Sequence, residues 1–140
     1  MKRVIKANRD VRQVIFEDEN FEVRKEYGVG IDDTPFISVY VLTKPRSLAK
    51  KHVVEVRLDT AGGFPNYRYN GAYVAHGMRM TSDTLDETRE YIAVLEDAID
   101  FAERVDAWLQ ANKAQIGKEQ RELQAKHEQE VEVNKGGNSY

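Results

Sequence analysis

The chain has 140 residues and a formal net charge of −3, and its 41% hydrophobic and 32% charged residues are typical of a single globular domain. It contains no cysteine, which excludes disulfides, thiolate metal sites and thiol nucleophiles. No apolar run approaches the roughly 20 residues of a membrane span, and the basic start lacks the apolar core of a secretory signal, so we expect a cytoplasmic protein with no membrane partner.

The first half of the chain predicts a meander of about five antiparallel strands. Five runs alternate between apolar and polar residues or are nearly all apolar, and turn residues separate them: 11–17, 21–27, 36–42, 52–59 and 72–80. The run FISVYVL (36–42) is mostly β-branched or aromatic and predicts the central strand. In the next run, the alternation of Val54, Val56 and Leu58 with polar residues predicts one buried face.

Residues 62–80, GGFPNYRYNGAYVAHGMRM, have the most unusual composition in the chain. Gly62-Gly63 and Pro65-Asn66 are typical turn residues, and Asn70-Gly71 is the pair that most favours a tight hairpin. On this interpretation the tyrosines beside the turn are cross-strand aromatics. The competing interpretation is a ligand clamp, built from Phe64, Tyr67, Arg68, Tyr69 and Tyr73.

The hydrophobic pattern changes after residue 80 and predicts one long helix. Thr84 with Glu87 three residues later forms a capping box, although Ser82 or Asp83 would serve equally well as the cap. To about residue 112 the apolar residues cover an arc of roughly 200°, whereas a helix on one sheet needs a little over 100°. The excess predicts a second contact, made by the chain's own tail, a partner or a second copy. For a homodimer or larger oligomer the interface would contain Tyr91, Val94, Leu95, Ala98 and Val105.

We therefore expect an α+β fold, in which the meander is followed by one long C-terminal amphipathic helix packed on the sheet and then by a polar, partly helical tail. Residues 1–112 would form a single domain, and residues 113–140 a polar C-terminal extension with a disordered end. Leu109, near the end of the predicted helix, and Ile116 and Leu123, in the extension, lie seven residues apart. This thin seam is too short to predict a coiled coil.

The sequence shows no catalytic or metal-binding pattern, so we expect neither an enzyme nor a bound metal or cofactor. The three histidines, His52, His76 and His127, are at least 24 residues apart, whereas metal ligands usually cluster. We expect His127, in the polar tail, to be a solvated surface residue. The sequence also lacks a nucleophile elbow, a phosphate-binding loop and a dinucleotide fingerprint. An enzyme assembled from dispersed residues is the least favoured hypothesis.

The charge is unevenly distributed along the chain. Residues 1–80 have a balance of +4, and residues 81–112 carry nine carboxylates and two arginines, a balance of −7. Our first hypothesis is a non-enzymatic protein-binding regulator or inhibitor that acts through its acidic helix, with Glu96, Asp97, Asp100 and Glu103 contacting a protein partner. In general character, without a diagnostic motif, the chain resembles small accessory proteins of phages and mobile elements. Some of those block host defence nucleases by occupying nucleic-acid channels.

The alternative hypothesis is a module that binds or sequesters a nucleotide or nucleic acid on a basic, tyrosine-rich sheet and loop. Its ligand-binding residues would be Lys44, Arg46, Lys50, Lys51, Phe64, Tyr67, Arg68 and Tyr69. The pI of about 5.7 counts against a dedicated nucleic-acid-binding domain, which usually carries a clear excess of basic residues. A protein that sequesters small nucleotides needs only a few arginines.

Overall fold

The computed structural model of the protein describes residues 12–30, 33–44, 54–62, 68–76 and 84–137, with the backbone alone for 133–137. Within these ranges the chain forms five antiparallel strands and one helix, in the order β1 (Arg12–Glu17), β2 (Phe21–Val29), β3 (Pro35–Thr43), β4 (Val54–Ala61), β5 (Arg68–His76) and α1 (Leu85–Gly137). The predicted α+β fold is confirmed. No helix of the described ranges combines the length and apolarity that crossing a bilayer requires.

The strands are divided between two sheets. β1, β2 and β3 pair in that order, and β4 pairs with β5. Burial alternates along the first residues of β2, β3 and β4, as the period of a strand requires. The fully buried strand residues include Phe21 and Val23 in β2, Ile37 and Val39 in β3, and Val54 and Val56 in β4. The buried face predicted for residues 52–59 is therefore confirmed for its two valines.

The Asn70-Gly71 pair lies inside β5, so the prediction that it forms a tight hairpin turn is wrong. Gly71 is opposite Asp59 and Tyr69 is opposite Thr60, which makes Asn70 the extra residue of a β-bulge. Gly62, directly after β4, has a φ of 76°, in the left-handed region that glycine adopts without strain. The predicted turn residues Gly63, Pro65 and Asn66 lie outside the described ranges.

The helix begins where the sequence predicts. The hydroxyl of Thr84 accepts a hydrogen bond from the backbone N–H of Glu87 at 3.2 Å, and the Thr84 carbonyl accepts one from Thr88 at 3.1 Å. Asp86 and Glu87 lie in the first turn, where negative charge is stabilised by the helix dipole. α1 then continues for 53 residues, roughly 80 Å at 1.5 Å per residue. The domain boundary predicted near residue 112 thus falls inside this helix.

α1 packs on both sheets, which accounts for much of its wide apolar arc. Against the first sheet, the Phe101 ring stacks on Phe21 at a centroid distance of 4.9 Å. Against the second sheet, the carboxylate of Asp106 accepts a hydrogen bond from the Ala72 backbone N–H at 3.3 Å. The buried residues of the helix are Tyr91, Ala98, Phe101, Ala102, Val105, Leu109, Ile116, Gln120 and His127. Two sheets therefore cover most of the apolar arc, and its edge at Leu85, Ile92 and Ile99 stays exposed.

Side chains cover the outer edge of β3. The backbone N–H of Ile37 donates to Oε1 of Gln120 at 2.6 Å, and Nε2 of Gln120 donates to the carbonyl of Pro35 at 3.2 Å. The next N–H along this edge, from Val39, donates to the Tyr69 hydroxyl. These bonds replace a neighbouring strand. They also attach the second half of α1 to the first sheet and β5 to β3.

Candidate functional site

The turn between β1 and β2 is fixed by Asp18. Its Oδ1 accepts hydrogen bonds from the backbone N–H groups of Asn20 and Phe21, each at 2.8 Å. Lys44, after β3, donates to the Asp18 carbonyl at 2.6 Å and forms a salt bridge with Glu17 at 2.8 Å. Asp and Asn side chains commonly stabilise turns in this way. The turn is therefore held in one conformation beside α1.

Arg104 joins this turn to the helix. Its guanidinium forms a 2.6 Å salt bridge with Oδ2 of Asp18 and lies over the Phe101 ring, 5.0 Å from the centroid. The Phe101 ring packs against the β2 residue Phe21, so the core fixes the ring on which the guanidinium lies. The positive charge of Arg104 is thus directed across to the turn rather than along the helix.

The β1–β2 turn and α1 enclose a cleft of about 420 Å³, which we call the acidic cleft. It is lined by Asp18, Glu19, Asn20, Asp97, Asp100 and Arg104. Four carboxylates and one guanidinium give this lining a formal charge of −3. Asp97 and Asp100 form no salt bridge with any other residue that the structure describes. The acidic cleft therefore presents unpaired negative charge to the solvent.

The four partner-binding residues predicted from the sequence are all exposed on α1. Asp97 and Asp100 line the acidic cleft, whereas Glu96 and Glu103 lie further round the helix on its outer face. Sequence reasoning missed the contribution of Asp18 and Glu19, which lie between the first two predicted strands. The Asp18–Arg104 contact joins residues that are 86 positions apart, and nothing local in the sequence signals it.

The residues predicted for an oligomer interface lie on the side of α1 that packs on the sheets. Tyr91, Ala98 and Val105 are buried in the core of their own chain, and Val94 and Leu95 pack against that core. The large apolar residues of α1 that stay exposed are Leu85, Ile92 and Ile99.

The predicted basic, tyrosine-rich surface is only partly described. Tyr69 is 2% exposed and its hydroxyl is used by β3, so its ring is not available to stack on a ligand. Lys44 is engaged with Glu17 and the β1–β2 turn. Arg68 is exposed at the start of β5, and Tyr73 is 46% exposed further along that strand. The remaining predicted residues lie outside the described ranges: Arg46, Lys50, Lys51, Phe64 and Tyr67.

His127 is buried, with 8% exposure, so the prediction of a solvated surface residue is wrong. It lies seven residues after Gln120 and faces the same side of α1. A second cavity, of about 460 Å³, is lined there by Thr34, Gln124, His127, Glu128, Val131 and Glu132. Among the described residues, no group of three or more histidines and carboxylates is arranged to hold a metal ion.

No protein-family model, curated protein or solved structure matches this chain. Its fold and site define an α+β protein in which a long helix covers two sheets and meets a turn at an anionic cleft. The chemistry of that cleft, and of the helix beside it, is the basis for a functional proposal.

Proposed function

We propose that the protein is a non-enzymatic regulator or inhibitor that binds a basic protein surface through the acidic side of α1. The observation that supports this proposal is the acidic cleft, where four carboxylates converge from two elements beside a single guanidinium. Carboxylates fixed on a preformed scaffold produce a field that steers a cationic partner and selects against anionic ones.

The ionic contacts of these carboxylates favour a role in binding a partner. Asp97 and Asp100 have no ionic partner among the described residues, so a lysine or arginine from a partner would pair with them without displacing an internal salt bridge. Asp18 differs, because Arg104 already neutralises it. We assign Asp18 and Arg104 to the framework of the cleft, and Asp97 and Asp100 to recognition.

A nucleic-acid enzyme is the class of cytoplasmic partner that best fits such a surface. Channels that hold DNA or RNA are lined with lysine and arginine, which contact a regular series of phosphates. Carboxylates spaced along a rigid helix offer those cations an alternative anion. We therefore propose that the protein competes with nucleic acid for such a channel, as inhibitors of host defence nucleases do.

Parallel affinity capture from a host lysate tests the proposal. The baits are the wild type, the triple variant Asp97→Lys/Asp100→Lys/Glu103→Lys, and Arg68→Ala as a control in the alternative basic surface. We expect one set of proteins to be recovered by the wild type and by Arg68→Ala, and to be lost from the triple variant. Recovery should also fall steeply as salt rises, because exposed charges are screened beyond about 10 Å at 0.1 M salt.

A competition measurement then tests the class of partner. The captured protein is mixed with labelled duplex DNA, and fluorescence anisotropy follows the DNA while the wild-type chain is added. Displacement of the DNA by the wild type but not by the triple variant is the expected result. A captured protein that binds DNA and this chain simultaneously would contradict competition for a channel, and equal capture by the triple variant would contradict the role of the acidic side.

A further inference from the structure

The first half of α1 carries an apolar stripe that stays exposed, which we call the outer stripe. It consists of Leu85, Ile92 and Ile99, whose exposures are 75%, 47% and 42%. Scattered exposed apolar residues are normal on a protein surface. These three, however, lie seven residues apart on one side of one helix, and they span roughly 21 Å of its length. A seven-residue repeat is the spacing at which two helices pack side by side.

The outer stripe has a charged border. Glu96 and Glu103 lie four residues after Ile92 and Ile99, so each carboxylate is next to an exposed isoleucine on the helix surface. Both glutamates are exposed, and neither forms a salt bridge with another residue in the described ranges. On the other side of the stripe, Leu95 is partly buried against the core. Arg89 lies in the same row, four residues after Leu85, and forms a 3.0 Å salt bridge with Asp86. The surface therefore has an apolar centre, an apolar inner side and an outer side on which Glu96 and Glu103 carry the negative charge.

We propose that the outer stripe docks an amphipathic α-helix of the partner, with apolar residues at heptad spacing and lysine or arginine beside them. This inference rests on the proposed function and specifies the element by which the basic partner is recognised. The apolar side chains would pack between Leu85, Ile92 and Ile99, as in other helix-in-groove complexes. The basic residues would pair with Glu96 and Glu103, which occupy the positions that select partners in coiled coils.

Charge argues against a second copy as the occupant. In an antiparallel pair of α1 helices centred between Ile92 and Ile99, each Glu96 would face the Glu96 of the other copy, and each Glu103 would face an Arg89 that already pairs with Asp86 of its own chain. More broadly, residues 81–112 have a balance of −7, so two copies of this segment have a net repulsion when they lie side by side. A basic helix meets the same surface with opposite charge.

Two synthetic peptides serve as probes. Each is a labelled helical peptide of about three heptads with leucine at the a and d positions. One carries lysine at the flanking positions, and the matched peptide carries glutamate there. Fluorescence anisotropy measures their binding to the wild type and to three variants: Ile92→Asn/Ile99→Asn, Glu96→Lys/Glu103→Lys and Asp97→Asn/Asp100→Asn. All the substituted side chains are exposed, and an unchanged melting temperature checks that each variant is folded.

We expect the wild type to bind the lysine peptide and not the glutamate peptide. The isoleucine variant should weaken binding by at least about tenfold, the scale of losing the burial of one or two large apolar side chains. The Glu96→Lys/Glu103→Lys variant should lose the lysine peptide and gain the glutamate peptide. The Asp97→Asn/Asp100→Asn variant should weaken binding less than the Glu96→Lys/Glu103→Lys variant does, because the acidic cleft lies to one side of the stripe.

Three results would overturn the docking proposal. The first is lysine-peptide binding that the isoleucine substitutions leave unchanged, and the second is equal affinity for the two peptides. The third is a wild-type dimer that the isoleucine variant dissociates, which would assign the stripe to a second copy. Binding lost only in the Asp97→Asn/Asp100→Asn variant would also exclude docking at the stripe, but it would leave the proposed function of the acidic cleft in place.

Discussion

Gln120 satisfies two backbone groups that a neighbouring strand would otherwise satisfy. It is 3% exposed, and its amide group both accepts from Ile37 and donates to Pro35. An amide is the side chain that offers a donor and an acceptor side by side, as a peptide group does. A glutamate at this position would accept from Ile37 but would leave the Pro35 carbonyl without a donor.

Gln120→Ala should therefore lower the free energy of unfolding by about 2–4 kcal/mol, since it leaves two buried backbone groups without partners. Urea unfolding followed by circular dichroism measures the change. Gln129→Ala, on the exposed side of the same helix, is the matched control and should change stability by less than about 0.5 kcal/mol. Equal effects of the two substitutions would show that the edge of β3 does not depend on Gln120.

Tyr27 makes the stability of the fold depend on pH in the alkaline range. Burial, and then the negative charge of Glu119, raise the pKa of the Tyr27 hydroxyl, which also donates to Glu119 at 3.4 Å. In the unfolded chain Tyr27 loses its proton at about pH 10, before it does so in the folded protein. Its contribution to stability is complete below that pH and is lost as the pH rises through the folded-state pKa.

The wild type and Tyr27→Phe should therefore become more similar in stability at high pH. We expect the difference in their free energies of unfolding to decrease between about pH 8 and about pH 11. Denaturant titrations at several pH values in this range measure it. The comparison with phenylalanine cancels the titration of the other tyrosines and of the lysines, so a difference that stays constant with pH would contradict the assignment to Tyr27.

At the scale of elements, the sequence predicts the start of α1 but not its true extent. Thr84 and Glu87 are local signals, and the structure confirms them. Beyond residue 112 the buried side of the helix includes Ile116, Gln120 and His127, two of which are polar. A search for apolar residues alone finds only the thin seam of Leu109, Ile116 and Leu123 and predicts a polar, partly helical tail. Gln120 and His127 become recognisable as inward-facing only when the edge of β3 is in place.

Truncation distinguishes the two parts of the helix that lie beyond residue 112. Removal of residues 134–140 should change the melting temperature by no more than a few degrees, since helix ends contribute little. Removal of residues 113–140 should lower it far more, because Ile116 and Gln120 are buried against the sheets. Thermal unfolding followed by circular dichroism compares the two truncations with the full chain. A large loss of stability from the short deletion would contradict this assignment.

At the scale of the whole molecule, charge segregation is visible in the sequence, but the site that it builds is not. The excess of carboxylates in residues 81–112 identifies the acidic helix without any structure. The acidic cleft needs a contact between Asp18 and Arg104, 86 residues apart, which no local pattern predicts. Tyr69 shows the reverse case, because an aromatic that resembles part of a ligand clamp in sequence is a core residue joining two sheets.

The packing of α1 on two sheets changes the expected oligomeric state. The sequence predicts self-association because the apolar arc of α1 is too wide for one sheet, but α1 contacts β3, β4 and β5 and so covers two sheets. Tyr91, Ala98 and Val105 are already buried by this packing. The remaining outer stripe lies in a segment with a balance of −7, which repels a second copy.

We therefore expect a monomer in light scattering at micromolar concentration, with the same mass for the wild type and for Ile92→Asn/Ile99→Asn. Raising the salt concentration screens the repulsion between two acidic helices, so a dimer that forms only at high salt would show that charge, rather than the covered arc, keeps the chains apart.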